Sequence, residues 1–271
     1  ALDRDFAAAA QRLEPILASG SASREAWRLA GECSLQVQDF DRALQALQQA
    51  LAFENKFDDP AIYIRLGSVL LVKKRWKHAR EAFLRSIQSQ PTAEAWSGVA
   101  YAEYRSEELN TSYEALCEAN VLDNERADVW AQLCLVHLRF ENWDTADHCC
   151  RQCLSHQPEC EELLLEAASE YSRRERQMSL AEACARRALQ LRDSGQGHSV
   201  LADVLAQDGQ AEESVLEAQI ALKMLPDQPD LRKAIFAKAL RLCEEMNDAP
   251  LLESLHAVQK FADDQFSTSK T

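Results

Sequence analysis

The sequence predicts an all-α array of paired antiparallel helices, and three observations predict it. An aromatic residue returns at near-constant spacing as Trp27, Tyr63, Trp96 and Trp130, at intervals of 36, 33 and 34 residues. Three and four residues after each come an apolar and a small residue: Ala30-Gly31, Leu66-Gly67, Val99-Ala100 and Leu133-Cys134. Sixteen, twenty and twenty-three residues after each, small or apolar positions recur as Ala43, Leu47, Ala50; Ala79, Phe83, Ser86; Ser112, Leu116, Ala119; and Ala146, Cys150, Cys153.

A period near 34 with this grammar is the signature of tetratricopeptide repeats, so the expected fold is a right-handed superhelical solenoid with two helices per unit. The position ahead of the first small residue of each second helix is large: Phe40, Trp76, Leu109 and Trp143. Small residues let a neighbouring helix approach the backbone, and large ones fill the space beside it. Pro91 and Pro158 fall where the second helices of two repeats should end, because proline stops a helix there without removing an internal hydrogen bond.

Taken in order, residues 1–22 match only the second half of a unit, through Phe6, Ala9, Leu13 and Ile16, and read as a partial repeat or capping helix. Residues 23–228 read as about six repeats. The fifth opens at Leu164, Ala167-Ala168 and Tyr171 and continues with Ala181, Ala185 and Ala188 after a one-residue insertion near 174–177. The sixth runs from His198 through Leu201-Ala202, Ser214, Ala218 and Ala221 to Pro226. Residues 229–264 read as two helices without the aromatic heading, the cap that covers the last apolar face of a repeat array. A frayed tail is expected over 265–271.

Composition narrows the function classes. A hydrophobic content of 46% with 27% charged residues suits helices with one apolar stripe. No run of about 18 apolar residues marks a membrane span, and no signal core opens the chain. The lack of an initiator Met leads us to expect a piece of a longer protein. A net charge of −14 argues against nucleic acid, which needs a cationic face; Lys73-Lys74-Arg75 is the start of the most basic stretch. Nine cysteines, an odd number, fit free thiols in a reducing compartment. Cys149, Cys150, Cys153 and Cys160, with Cys134, His137, His148 and His156, resemble a zinc cluster in composition. However, Cys134, Cys150 and Cys153 occupy the same repeat slots as Gly67, Phe83 and Ser86, so they are expected to pack as small hydrophobes, ahead of metal binding or redox sensing, and no metal is expected.

No glycine-rich phosphate loop, nucleophile elbow or metalloprotease motif is present, so neither catalytic residue nor cofactor is expected. A repeat array instead offers a concave groove lined by its first helices. Register places Ile64, Arg65, Ser68, Leu71 and Val72, then Ser97, Tyr101, Tyr104 and Arg105, then Ala131, Leu135, Leu138 and Arg139, then Leu165, Ser169, Ser172 and Arg173 on that side. Arg105, Arg139 and Arg173 recur at intervals of 34 residues. Such a ladder either complements helix C-termini or grips acidic side chains, with Tyr101, Tyr104, Leu135 and Leu138 as apolar anchors. Glu94, Asp128 and Glu162 form a second ladder suited to helix N-termini. The Lys and Asn that clamp a ligand's C-terminal carboxylate in chaperone-binding repeats are replaced by Arg28 and Glu32, Ile64 and Ser68, and Ser97 and Tyr101. The asparagine ladder of glycosyltransferase-type arrays is missing as well.

Residues 61–139 carry wording that repeat packing does not demand. Ile62 to Ser68, Trp96 to Ala100, Tyr104-Arg105-Ser106-Glu107-Glu108-Leu109, Glu118 to Leu122 and Asp128 to Ala131 resemble the C-terminal repeats of the cilia- and flagella-associated protein 70 family. The resemblance thins after about Leu164. It implies an axonemal scaffold of motile cilia or flagella, associated with outer dynein arms and binding other axonemal proteins. The partner segment expected from the groove is acidic around an apolar core, with no role for membrane. The alternative is a soluble cytosolic adaptor or co-chaperone-like peptide binder; a rod spacing two flanking domains is a third reading.

Overall fold

A computed structural model describes residues 2–18, 22–53, 59–225 and 228–268, with side chains described for 6–18, 22–53, 59–225 and 228–260. These residues form fifteen α-helices and no strand. Helix α1 (Leu2–Ala18) precedes six pairs: α2 (Arg24–Gln36) with α3 (Phe40–Ala52), α4 (Pro60–Val72) with α5 (Trp76–Ser89), and α6 (Ala93–Arg105) with α7 (Leu109–Leu122). The series continues with α8 (Ala127–Arg139) and α9 (Trp143–Ser155), α10 (Glu161–Arg173) and α11 (Met178–Leu191), and α12 (Gly195–Gln207) and α13 (Ala211–Met224). Last come α14 (Pro229–Met246) and α15 (Ala249–Thr268). Helices α1 to α7 lie in one compact unit, residues 1–125, and α8 to α15 in a second, residues 126–271. The backbone of 265–268 belongs to α15. Pro226 and residues 269–271 lie outside the described residues.

The turns within pairs are built alike. Each first helix ends on a left-handed residue, namely Gln38, Lys74, Glu107, Glu141, Glu175 and Gly209. The next amide then reaches back across the helix end: Asp39 N–H donates to the Ser34 carbonyl at 2.8 Å, Glu108 to Glu103 at 3.0 Å, and Gln210 to Leu205 at 2.9 Å. This closure satisfies carbonyls that a helix end leaves without partners. Only Gly209 takes the left-handed conformation without a Cβ penalty. In the fifth pair the extra residue is absorbed by Gln177, which adopts a second left-handed conformation (φ 45°) before α11 begins. First helices α2, α4, α6 and α12 open on side-chain caps from Ser23, Asp59, Thr92 and Ser194, each worth about 1 kcal/mol.

Packing in the first unit is large side chain into glycine. A Cβ at Gly31 would lie 2.8 Å from Leu47, and one at Gly67 would lie 2.7 Å from the Phe83 ring. On α6, a Cβ at Gly98 would run into that same ring. Phe83 of α5 is therefore held between the backbones of α4 and α6. Where the second helix carries serine instead of alanine at its first small slot, the hydroxyl ties the pair together. Ser112 Oγ donates to the Ala100 carbonyl at 2.9 Å, and in the second unit Ser214 Oγ donates to Ala202 at 2.7 Å.

The second unit ends in an apolar cluster in which Val215, Ala218 and Leu222 of α13 meet Ile235, Ala239 and Cys243 of α14 and Leu255 of α15. Gln219 Nε2 donates to Ser254 Oγ at 2.8 Å across the same seam.

Two outcomes follow from this packing. Phe83→Ala should cost about 3–5 kcal/mol in urea unfolding and Gly98→Ala about 1–3 kcal/mol. Phe83→Leu should relieve part of the Gly98→Ala cost in a double-mutant cycle, and strict additivity would refute the shared contact. Deleting 229–271 should expose the α13 face and cause aggregation; a truncated chain that stays monomeric with an unchanged Tm would remove the capping role from α14 and α15.

Candidate protein-binding surface

The register slots expected to face a groove have different surroundings along the chain. In the first unit, Arg65 of α4 reaches back to Glu32 of α2 at 2.5 Å, and Glu32 is shared with Arg28 at 3.4 Å. Arg65 therefore links two consecutive first helices. Arg105 at the end of α6 lies over the Trp76 ring, 5.6 Å from its centroid, and over Tyr101 at 5.9 Å. Trp76 and Tyr101 themselves meet edge to face at 6.4 Å. Arg105 and Tyr101 are thus brought together, half-buried, in one cation–π cluster. Beside them, Arg80 of α5 pairs with the buried carboxylate of Glu103.

Three expected anchors are buried. Tyr104, Leu135 and Leu138 are 6%, 1% and 0% exposed, so they have almost no surface to present to a ligand. The same i, i+3, i+4 geometry that puts a residue on the groove side of a helix also serves the seam to the neighbouring helix. A large apolar side chain in such a slot fills that seam. Arg139, one residue on, is exposed.

A hollow opens in the second unit where these slots turn small and polar. Ser169, Ser172 and Arg173 of α10, Ser199, Asp203, Ala206 and Gln207 of α12, and Lys238, Arg241, Leu242 and Glu245 of α14 line a cavity of about 610 Å³. The spacing on each helix is three to four residues, so each contributes one stripe. Lys238 Nζ bridges both carboxylate oxygens of Asp203 at 2.8 Å, joining α14 to α12 through an exposed ion pair. Arg173 stands at the rim, 68% exposed on its side chain, and pairs with buried Glu170, which Arg174 also holds. Ser169, Ser172 and Arg173 of α10 are brought together in this lining. Ser199 and Asp203 were legible in the same slots of the sixth repeat but lacked the size expected of an anchor. Lys238 and Arg241 sit on a helix without the repeat heading, so no register could place them.

The thiols lie elsewhere in the same unit. Cys134, Cys149, Cys150, Cys153 and Cys184 are all buried, and none lines the 610 Å³ cavity. Among the described residues, no group of three or more His, Cys, Asp or Glu is placed to hold a metal ion. Burial pushes the Cys149 and Cys153 thiols up to about 12, which keeps both protonated. The surface chemistry available is hydroxyl hydrogen bonding flanked by alternating charge, suited to holding a polypeptide segment.

Comparison with known proteins agrees with this architecture. Residues 1–234 match the family described as Cilia and flagella-associated protein 70 C-terminal domain. Over 139 residues the chain is 30% identical to cilia- and flagella-associated protein 70 of Homo sapiens, covering 51% of this chain and 12% of that protein. Among solved structures, a chain of the APC/C hetero-tetramer Cut9-Hcn1 superposes with a TM-score of 0.65 at 14% identity, over 79% of this chain and 42% of that one. A thermophilic TPR protein of Thermus thermophilus gives 0.54 at 22% identity, over 67% and 99%. At such identities the likeness is one of fold, and that fold is the tetratricopeptide repeat. No helix is long and apolar enough to cross a membrane among the described residues.

The burial of Leu138 has a measurable consequence. Leu138→Ala should cost about 2–5 kcal/mol of stability by urea unfolding, whereas an exposed binding residue would change stability by less than about 0.5 kcal/mol. The smaller value would return Leu138 to the surface.

Proposed function

This chain belongs to the cilia and flagella-associated protein 70 C-terminal domain family, and from that membership we propose that it is a non-catalytic protein-binding scaffold of the ciliary or flagellar axoneme, positioned near outer dynein arms. The family relationship and the repeat fold support a ciliary scaffold. The observation that carries the binding role is the 610 Å³ hollow on α10, α12 and α14, with serine hydroxyls and the cationic side chains of Arg173, Lys238 and Arg241 in its lining.

The partner it suits is an elongated segment carrying acidic side chains around an apolar core. Val200 and Leu242 supply half-buried apolar lining, and Ser169 offers a hydrogen bond to an extended or helical backbone. Each exposed arginine contact should contribute about 0.2–1 kcal/mol and weaken with salt. Arg173 must also share its charge with Glu170, which reduces what it offers a ligand. Tyr101 with Arg105 in the first unit forms a smaller, separate contact point.

Co-sedimentation with salt-extracted axonemes tests the proposal, with binding to a library of cytosolic peptides as the competing assay. Arg173→Glu with Arg241→Glu should lower axoneme binding several-fold while circular dichroism stays native, and Tyr101→Ala should have the lesser effect. Retained binding in both variants, together with loss on changing the opposite helix faces, would place the partner outside the groove. Preference for cytosolic peptides over axonemes would favour the adaptor reading.

A further inference from the structure

We infer that Cys150 and Cys184 are an oxidative cross-linking site at which a peroxide joins the fourth and fifth repeats through a disulfide. The two thiols sit on α9 and α11, second helices of consecutive repeats that pack directly together. Their sulfurs are 3.4 Å apart and the side chains are 2% and 1% exposed. A disulfide places its sulfurs about 2.0 Å apart, so side-chain rotation and a small helix adjustment are the movement required. A third thiol, Cys134 of α8, lies against the same group and meets the Tyr171 hydroxyl at 3.7 Å.

The arrangement distinguishes the two partners. As a thiolate, Cys150 accepts S–H donation from Cys134 first and from Cys184 second, which lowers its pKa below the ordinary thiol range. Donation to Cys150, reinforced by burial, holds Cys134 and Cys184 above that range. Cys150 touches both other thiols, so its thiolate can accept an S–H from either side and the reaction is written as starting there.

The chemistry balances with peroxide as the oxidant. The Cys150 thiolate sulfur attacks one peroxide oxygen, the O–O bond breaks, and hydroxide leaves, giving a sulfenic acid at Cys150. The Cys184 sulfur then attacks the Cys150 sulfur; the S–S bond forms, the S–O bond breaks, and the departing hydroxide becomes water with the Cys184 proton. Two thiols lose two electrons in total, and peroxide is reduced to two waters. Both sulfurs are buried, so entry requires local separation of α9 and α11, through which a small uncharged oxidant passes more readily than a bulky disulfide. The link closes a loop between residues 34 apart in sequence and so restricts the unfolded chain.

Reactivity governed by exposure alone predicts a different outcome, with Cys117 and Cys160, the two incompletely buried thiols, oxidised first. The test treats the folded chain with hydrogen peroxide, blocks the remaining thiols by alkylation, and maps peptides with fragmentation that separates Cys149 from Cys150. The expected product joins Cys150 to Cys184, is lighter by two hydrogens, and reverts with dithiothreitol. It should raise Tm by several degrees and be lost in Cys184→Ala, whose new residue matches the surrounding alanines. Should that variant not fold, differential alkylation of the unaltered chain before and after dithiothreitol reports the same pair. Recovery of Cys150 as a free thiol, as a sulfinic acid, or joined to Cys134 would overturn the assignment.

Discussion

Close backbone approach at glycine is the constraint on which the first unit depends. Phe83 occupies the volume that a Cβ at Gly67 or Gly98 would take, so a single side chain sets the spacing of α5 from α4 and from α6 together. Leu47 does the same against Gly31. Packing of this kind has no spare volume. A methyl group added at the glycine and a ring removed at Phe83 are both costly, and for opposite reasons. The repeat can tolerate wide variation elsewhere because this contact, the left-handed helix end and the amide that closes it already determine how the two helices of a pair meet.

The second unit keeps the slot and changes its filling. Cys150 stands where Phe83 does and Cys134 where Gly67 does, so intermediate volumes replace the extreme pair of ring and glycine. Thiols are well suited to that exchange, being small, apolar and polarisable. Their concentration in repeats four and five follows from packing before any chemistry is considered. Once three of them share one seam, though, their sulfurs hydrogen-bond to one another, and the packing solution acquires a reactive geometry.

Side-chain size also decides where a ligand can enter. In α8 the groove-side slots hold Leu135 and Leu138, and the seam is closed. In α10 and α12 the related slots hold Ser169, Ser172, Asp203 and Ala206, and space is left over. Of the bulky groove-side residues, Tyr104, Leu135 and Leu138 are committed to the core while Tyr101 is half-buried, and the hollow lies where the side chains are smaller. The arginines show a second difference between pattern and structure. Arg65, Arg105 and Arg173 each have an intramolecular partner, in Glu32, in Trp76 with Tyr101, and in Glu170. Recurrence at 34 residues revealed the shared helix position of Arg105 and Arg173 but not the neighbour each would meet.

The paired-helix repeat fold and the resemblance to ciliary repeats were legible in the sequence, because they depend on local spacing and on small residues at fixed offsets. The same spacing put Ser169, Ser172 and Arg173 on one face of α10. Burial was not legible. Whether a groove-side residue is a ligand contact or a core residue depends on how near the next helix lies, which is set by side chains a whole repeat away in the chain. Only the tertiary structure could therefore enclose Leu138, open the cavity beneath Arg173, bring Lys238 to Asp203 and leave the sulfurs of Cys150 and Cys184 in contact, because each is a meeting of residues from different helices whose separation is a property of the packed array.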